Sequence, residues 1–401
     1  MTRLTNGKVY DVAKASFEDL DILLRGDRIE ALVPRDQAAT ADQDVLDMRG
    51  AFVLPGLIDC HVHLTLDPSV GDPSAYKQRD NQRIRQDTSA AARATLLGGI
   101  TSVRDCGGWE YLEMAVREEI AAGTAIGPRM FLSGKLVWVE TPGARDYPGM
   151  FELAKTPEEL CAAAARQLDK GADFIKVMAT GMVLSPEGEQ PDDVFYTVAE
   201  LSALTAFAHA KGVKVACHAE GLNGIWTVVE AGTDSVEHVT FADDDVLKVM
   251  ASKGTFAVPT CMVMSAYLDD PKLRQQAPRY IIERFEDVKP RHSRAIHQAH
   301  AHGVPIAMGT DAGAPGVYHG KNAQEVGRMV RDAGLPPQAA IRAATLDAAR
   351  LLGHEDKLGS LEAGKYADLI AARENPLDDP AALEDLCFVM KGGDIVRDEL
   401  H

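Results

Sequence analysis

At 401 residues the chain fits either two ordinary domains or one barrel with a small companion domain, and length alone does not separate them. Its composition, 46% hydrophobic, 25% charged and 6% aromatic, excludes a disordered chain, and a net charge of -18 argues against a nucleic-acid partner, because displacing phosphate counterions takes clustered Lys and Arg. Six scattered cysteines without a CxxC pair, a segment Met1–Leu24 unlike a secretory leader, and no apolar run of membrane-spanning length predict reduced thiols, no membrane association and a cytoplasmic address.

Residues 1–54 carry short apolar runs broken by Gly and Asp, namely Leu20–Leu24, Ile29–Val33 and Ala51–Leu54, which predict strands joined by turns. At residue 55 the pattern changes, and β-rich runs alternate with Ala-rich stretches of helical periodicity. The predicted strands are Ile100–Arg104, Arg129–Ser133, Phe174–Met178, Lys214–Cys217, Ser235–Val239, Thr255–Pro259 and Pro305–Met308, with helices such as Ala199–Lys211 and Ala339–Leu352. Beyond Leu352 the runs GSLEAGKYADLIAARENPLDDP and VMKGGDIVRD return to short strands with Gly turns. The expected architecture is α/β: a (β/α)8 TIM barrel over residues 55–354, with a small β-sandwich domain built from both chain ends, residues 1–54 plus 355–401. A doubly wound sheet would give the same alternation, but no GxGxxG follows a first strand.

The placement of metal-capable residues separates the two folds. In PGLIDCHVHL, His61 and His63 stand two apart at the end of an apolar run, so in an extended strand both imidazoles point to one side. Lys176 lies inside Phe174–Met178, an apolar strand where an unpaired ammonium is costly to desolvate; an amine there can add carbon dioxide to give a carbamate able to bridge two cations. Its bland alternative is a lysine reaching out from a strand end. His218 follows directly on Lys214–Cys217, His238 stands at the end of Ser235–Val239 and Asp311 comes just after Pro305–Met308, and in a barrel such positions converge on one mouth. His209, His297, His300 and His302 fall on helical stretches and read as surface or packing residues.

This order of HxH, lysine, histidine, histidine and aspartate resembles the binuclear branch of the amidohydrolase superfamily. The runs TSVRDCGG (101–108), FIKVMATGMVLSP (174–186), VACHAEG, SVEHVTF, GTDAGAPGVYHG and LGSLEAGKYADLI resemble its imidazolonepropionase-related group, which contains Xaa-Pro and Xaa-Arg dipeptidases. The resemblance implies two divalent ions, zinc being expected. His61, His63 and Asp311 would hold the more buried ion and His218 and His238 the other, with a carboxylated Lys176 shared. It also implies a bridging hydroxide whose proton Asp311 passes to the leaving nitrogen of an amide, in a dipeptide or N-acyl amino acid.

His319 resembles a family position near the substrate, and Tyr267 offers a phenol to a bound carbonyl or packs on the rim. Where the dipeptidases carry a histidine after the third strand, this chain reads GKLVWVETPGARDYPG, so Arg145 is the expected substitute, and a carbamate, lactone or cyclic amide stays open as substrate. A mononuclear deaminase is disfavoured by Lys176 and by Gly221, where such sites carry glutamate; a non-catalytic barrel is disfavoured by the intact ligand set. The expected partners are a small-molecule substrate and further copies of the chain in a homo-oligomer.

Overall fold

The computed structural model describes residues 1–37, 44–70, 76, 79–185 and 189–401; Pro186, the last residue of the run at 174–186, lies outside the described residues. The chain is mixed α/β. Parallel strands form a three-stranded sheet in the order Arg129–Leu132, Ile100–Asp105, Leu57–Val62, and a six-stranded sheet in the order Phe151–Leu153, Leu136–Trp138, Ile175–Met178, Val215–Ala219, Ser235–His238, Phe256–Val258.

Backbone bonds tie these sheets together. The segment 305–308 accepts from Ala257 N through Pro305 O (2.9 Å) and from Cys60 N through Met308 O (2.7 Å), so it lies between Phe256–Val258 and Leu57–Val62. At the opposite edge Asp173 N donates to Leu132 O at 2.7 Å. The segment expected as the strand Pro305–Met308 therefore bonds on both sides, but through one isolated bridge of Ile306 with Ala257 and the single bond from Cys60 rather than a continuous ladder.

Helices between the strands start where the sequence supplies caps. Thr156 and Thr197 each cap a backbone N–H three residues on, while Glu159 and Glu200 reach back to the cap, and the helices Pro157–Asp169 and Val198–His209 follow. The helix expected over Ala339–Leu352 is instead two, Pro337–Ala343 and Leu346–Leu352. The carbonyls of Ala343 and Ala344 accept from Met308 N and Ile58 N, which draws them out of the helical bonding pattern.

The chain ends meet in a second β assembly. A four-stranded sheet orders Arg28–Pro34, Leu20–Arg25, Thr2–Thr5, Asp44–Asp47; a six-stranded one orders Asp394–Asp398, Leu386–Lys391, Leu369–Ala372, Phe52–Pro55, Lys8–Asp11, Ser16–Glu18. Leu4, Ile22, Val53, Leu369 and Phe388 pack together between them, apart from the larger core under the parallel strands. No described helix is long and apolar enough to cross a membrane.

Candidate active site

The strand Leu57–Val62 is buried throughout and delivers His61, with His63 one residue beyond its end. Met178 pairs with His218 and His218 with Glu237, so His218 and Glu237 stand at one level on neighbouring parallel strands and face the same side. Strict alternation would send His238 to the helix-covered side. His238 and Val239 instead take left-handed backbone, with φ of 73° and 58°, and His238 lines the same cavity as His218. Thr260 (φ 51°) and Asp311 (φ 61°) leave their strands in the same way, so strained non-glycine residues cluster around one mouth. Gly309 permits the close approach: a Cβ there would lie 2.8 Å from His61 Cβ, and Asp311 N donates to His61 O at 2.8 Å.

The rings converge. Centroid separations are 5.4 Å for His61 and His63, 5.1 Å for His61 and His238, and 4.5 Å for His218 and His238. Asp311 Oδ1 lies 3.4 Å from His63 Nε2 and 3.7 Å from His61 Nε2, and Lys176 lines the same cavity. Burial, reinforced by the Lys176 charge, pushes His61 well below the usual imidazole range and His218 down to about 3; burial also takes His63 to about 4 and holds His238 low. All four are neutral near pH 7. Burial raises the Asp311 carboxyl to about 6.

Acceptor-only partners fix which ring nitrogen carries the proton. His61 Nδ1 donates to Glu237 Oε2 (2.8 Å), His63 Nδ1 to Gly107 O (3.0 Å) and His218 Nε2 to Gly181 O (3.1 Å), while His238 Nδ1 meets Thr260 Oγ1 at 2.7 Å. In the first three the other nitrogen keeps its lone pair. Neutral imidazoles oriented by outer hydrogen bonds, with ligand atoms of His61, His238 and Asp311 within 4.8 Å of one another, fit a divalent cation.

Sequence reasoning missed the groups behind the histidines. Glu237 bonds His61 with one oxygen and takes Arg104 Nη2 with the other at 2.7 Å; Arg104 also donates to Cys60 O and Ser235 Oγ. Burial opposes ionisation of Glu237, but the Arg104 and Lys176 charges outweigh it and hold the carboxyl below its ordinary range. Asp59 accepts from Thr310 Oγ1 (2.6 Å), Asn322 Nδ2 (2.7 Å) and His61 N (3.1 Å), joining the turn before Asp311 to the histidine strand. The available signal was a charged residue inside an apolar strand, at Asp59, Arg104 and Glu237 alike. Glu237→Gln should weaken divalent-metal affinity by about 10–100-fold and lower stability by about 3 kcal/mol by leaving Arg104 without its counter-charge. A competitive chelator titration and urea unfolding measure the two effects, and unchanged affinity would refute the orienting role.

The turn that receives His63 rests on a buried acid pair. Asp105 accepts from Leu64 N and Gly107 N, while both Glu113 oxygens lie buried beside Gly108 without a hydrogen-bond partner among the described residues. Burial raises both carboxyls, and the Asp105 charge raises Glu113 further. The folded chain therefore holds protons that the unfolded chain releases near pH 4, so this contribution to stability is full below about pH 4 and is lost as the pH rises through neutrality. Glu113→Gln should flatten that loss, gaining at least about 1 kcal/mol over the parent at pH 8 and little at pH 5. Parallel unfolding slopes for the two proteins would contradict it.

The other sequence-predicted contacts separate. Tyr267 lines the cavity, stacked on Phe285 with centroids 5.1 Å apart, and burial pushes its phenol to about 12. Arg145 is 68% exposed with Nε 2.6 Å from Glu140 Oε1, and is not among the cavity's lining residues. His319 is also outside the lining; its Nε2 lies 3.4 Å from Leu66 O and its buried Nδ1 has no hydrogen-bond partner among the described residues.

Parallel strands whose C-terminal ends gather four neutral imidazoles, a lysine and a carboxylate in one cavity define the class as a hydrolase. Residues 52–396 match the Amidohydrolase family, and the chain belongs to that family. It is 31% identical over 382 residues to the ochratoxinase of Aspergillus niger, covering 87% of this chain and 76% of that protein. Against the imidazolonepropionase of Pseudomonas syringae pv. tomato it is 28% identical over 400 residues, covering 90% and 89%. Among solved structures it is similar to a Xaa-Pro dipeptidase with methionine bound in the active site, at 31% identity, TM-score 0.89 and 99% coverage of both chains. A prolidase complexed with N-methylphosphonate-L-proline gives TM-score 0.89 at 26% identity.

Proposed function

We propose that the protein hydrolyses an amide bond of a small-molecule substrate, of the N-acyl amino acid or dipeptide type, at a centre of two divalent cations. His61, His63, His218, His238 and Asp311 would hold the cations together with a carboxylated Lys176. The observation that carries this reading is the set of buried imidazoles, each tied at one ring nitrogen to a protein partner, around a lysine with no carboxylate within ion-pair distance among the described residues. Bound divalent ions, zinc among those the donor set suits, supply Lewis acidity toward a carbonyl and toward water. The chain's own groups do the rest. Asp311, whose carboxylate faces His61 and His63 in the same cavity, would take a proton and return it within one turnover. Tyr267 offers a phenol from the cavity wall to the substrate carbonyl.

The same reading includes the architecture. The backbone ties at residues 305–308 and Asp173 support a closed (β/α)8 barrel over 55–354, and the packed terminal sheets support a β-sandwich from 1–54 and 355–401. Purified protein should carry metal and release ninhydrin-positive product from a panel of N-acyl amino acids and dipeptides. Chelation should abolish the release, and zinc with bicarbonate should restore it. Less than about one ion per chain together with no amine release after loading would overturn the proposal.

A further inference from the structure

The cavity, about 680 Å³, has two unlike parts. Its floor holds the histidines, Lys176, Glu220 and Asp311; its wall is apolar and aromatic, with Tyr147, Met150, Met264, Tyr267, Tyr280 and Phe285 as the large side chains. A dipeptide needs a countercharge for its free carboxylate, and burying that group in an apolar wall without one is costly. Apart from Lys176 on the floor, no Lys or Arg is among the described lining residues. Arg145 faces Glu140 outside the lining. Arg284, over the Tyr280 ring, gives Nη1 to Val183 O and Ser185 O and Nη2 to Glu189 O.

We propose that this wall selects an uncharged amide bearing a large flat aromatic group on the side away from the floor, in preference to a free dipeptide; the proposal rests on the amide-hydrolase reading above. Tyr267 and Phe285 lie nearly parallel, with an interplanar angle of 14°, and present a ready aromatic stack. Met150 and Met264 add polarisable thioethers that pack against ring edges. The volume falls within the range that encloses a drug-sized ligand.

The test compares metal-loaded enzyme on naphthoyl-phenylalaninamide, naphthoyl-phenylalanine and alanyl-phenylalanine, with calorimetric binding of acetonaphthone, a ketone that cannot be hydrolysed. The naphthoyl amide should exceed the dipeptide in kcat/KM by at least about 100-fold, and acetonaphthone should bind. Leu184→Arg, which sets a cation on the partly exposed wall, should shift the ratio toward the naphthoyl acid by at least about tenfold. Turnover of the dipeptide without acetonaphthone binding overturns the wall's selectivity and leaves the hydrolase reading standing. Acetonaphthone binding with no amide cleaved does the reverse, and an unmoved acid-to-amide ratio in Leu184→Arg counts against the charge argument.

Discussion

Lys176→Ala is expected to lower turnover by at least about 10³-fold and to reduce bound divalent metal from about two ions per chain to about one. Lys176 is 1% exposed in the strand Ile175–Met178, and no described carboxylate lies within ion-pair distance of it. A buried ammonium so placed faces neutral imidazoles and feels the Glu237 and Asp311 carboxylates only from beyond ion-pair distance, a weak return for its desolvation. In the proposed reading, carboxylation would replace it with an anion able to serve as a ligand to the cations. Alanine fits the strand, where the neighbouring ladder position is already Ala216, so the change would remove the proposed ligand without disturbing the sheet. Metal analysis and steady-state rates measure the loss, and short carboxylates added to the variant should restore part of the rate. Labelled bicarbonate should give a carbamate resonance in the parent protein alone. Full metal content and an undiminished rate in Lys176→Ala would sink the two-cation reading.

The positions of the candidate ligands were legible because they repeat one address, the C-terminal end of a parallel strand, and hydrophobic runs mark such ends well. His218 after Lys214–Cys217 and Asp311 after Met308 needed no further information. His238 was placed by the same rule, although strand alternation would have turned it away; its left-handed backbone depends on tertiary packing that no local pattern records. Arg145 illustrates the converse. Its charge and chain position suited a carboxylate clamp, but Glu140 five residues earlier competes for the guanidinium, and a short helix at Pro142–Asp146 leaves it in solvent. The Glu237–Arg104–Ser235 network was unreadable for a different reason, since it joins two strands more than 130 residues apart and Arg104 could as well have been a strand-end surface residue.

Asp311→Asn is expected to reduce kcat by about 10³–10⁴-fold with little loss of stability. The choice of asparagine follows from the backbone. Asp311 sits at φ 61°, where asparagine is tolerated better than alanine, so Asp311→Ala would confound lost charge with added strain. Asparagine also keeps the side-chain shape beside His61 and His63 while removing the anion and the ability to accept a proton. Two readouts then divide the roles. A variant that keeps about the parent's metal content yet loses turnover identifies Asp311 as the proton carrier; one that loses a metal ion identifies its charge as part of the cation site. Asp311 Oδ1 is held 3.4 Å from His63 Nε2, so glutamate, with one more methylene, misplaces the carboxylate and should recover only part of the rate. A kcat within about tenfold of the parent in Asp311→Asn would remove Asp311 from the mechanism altogether.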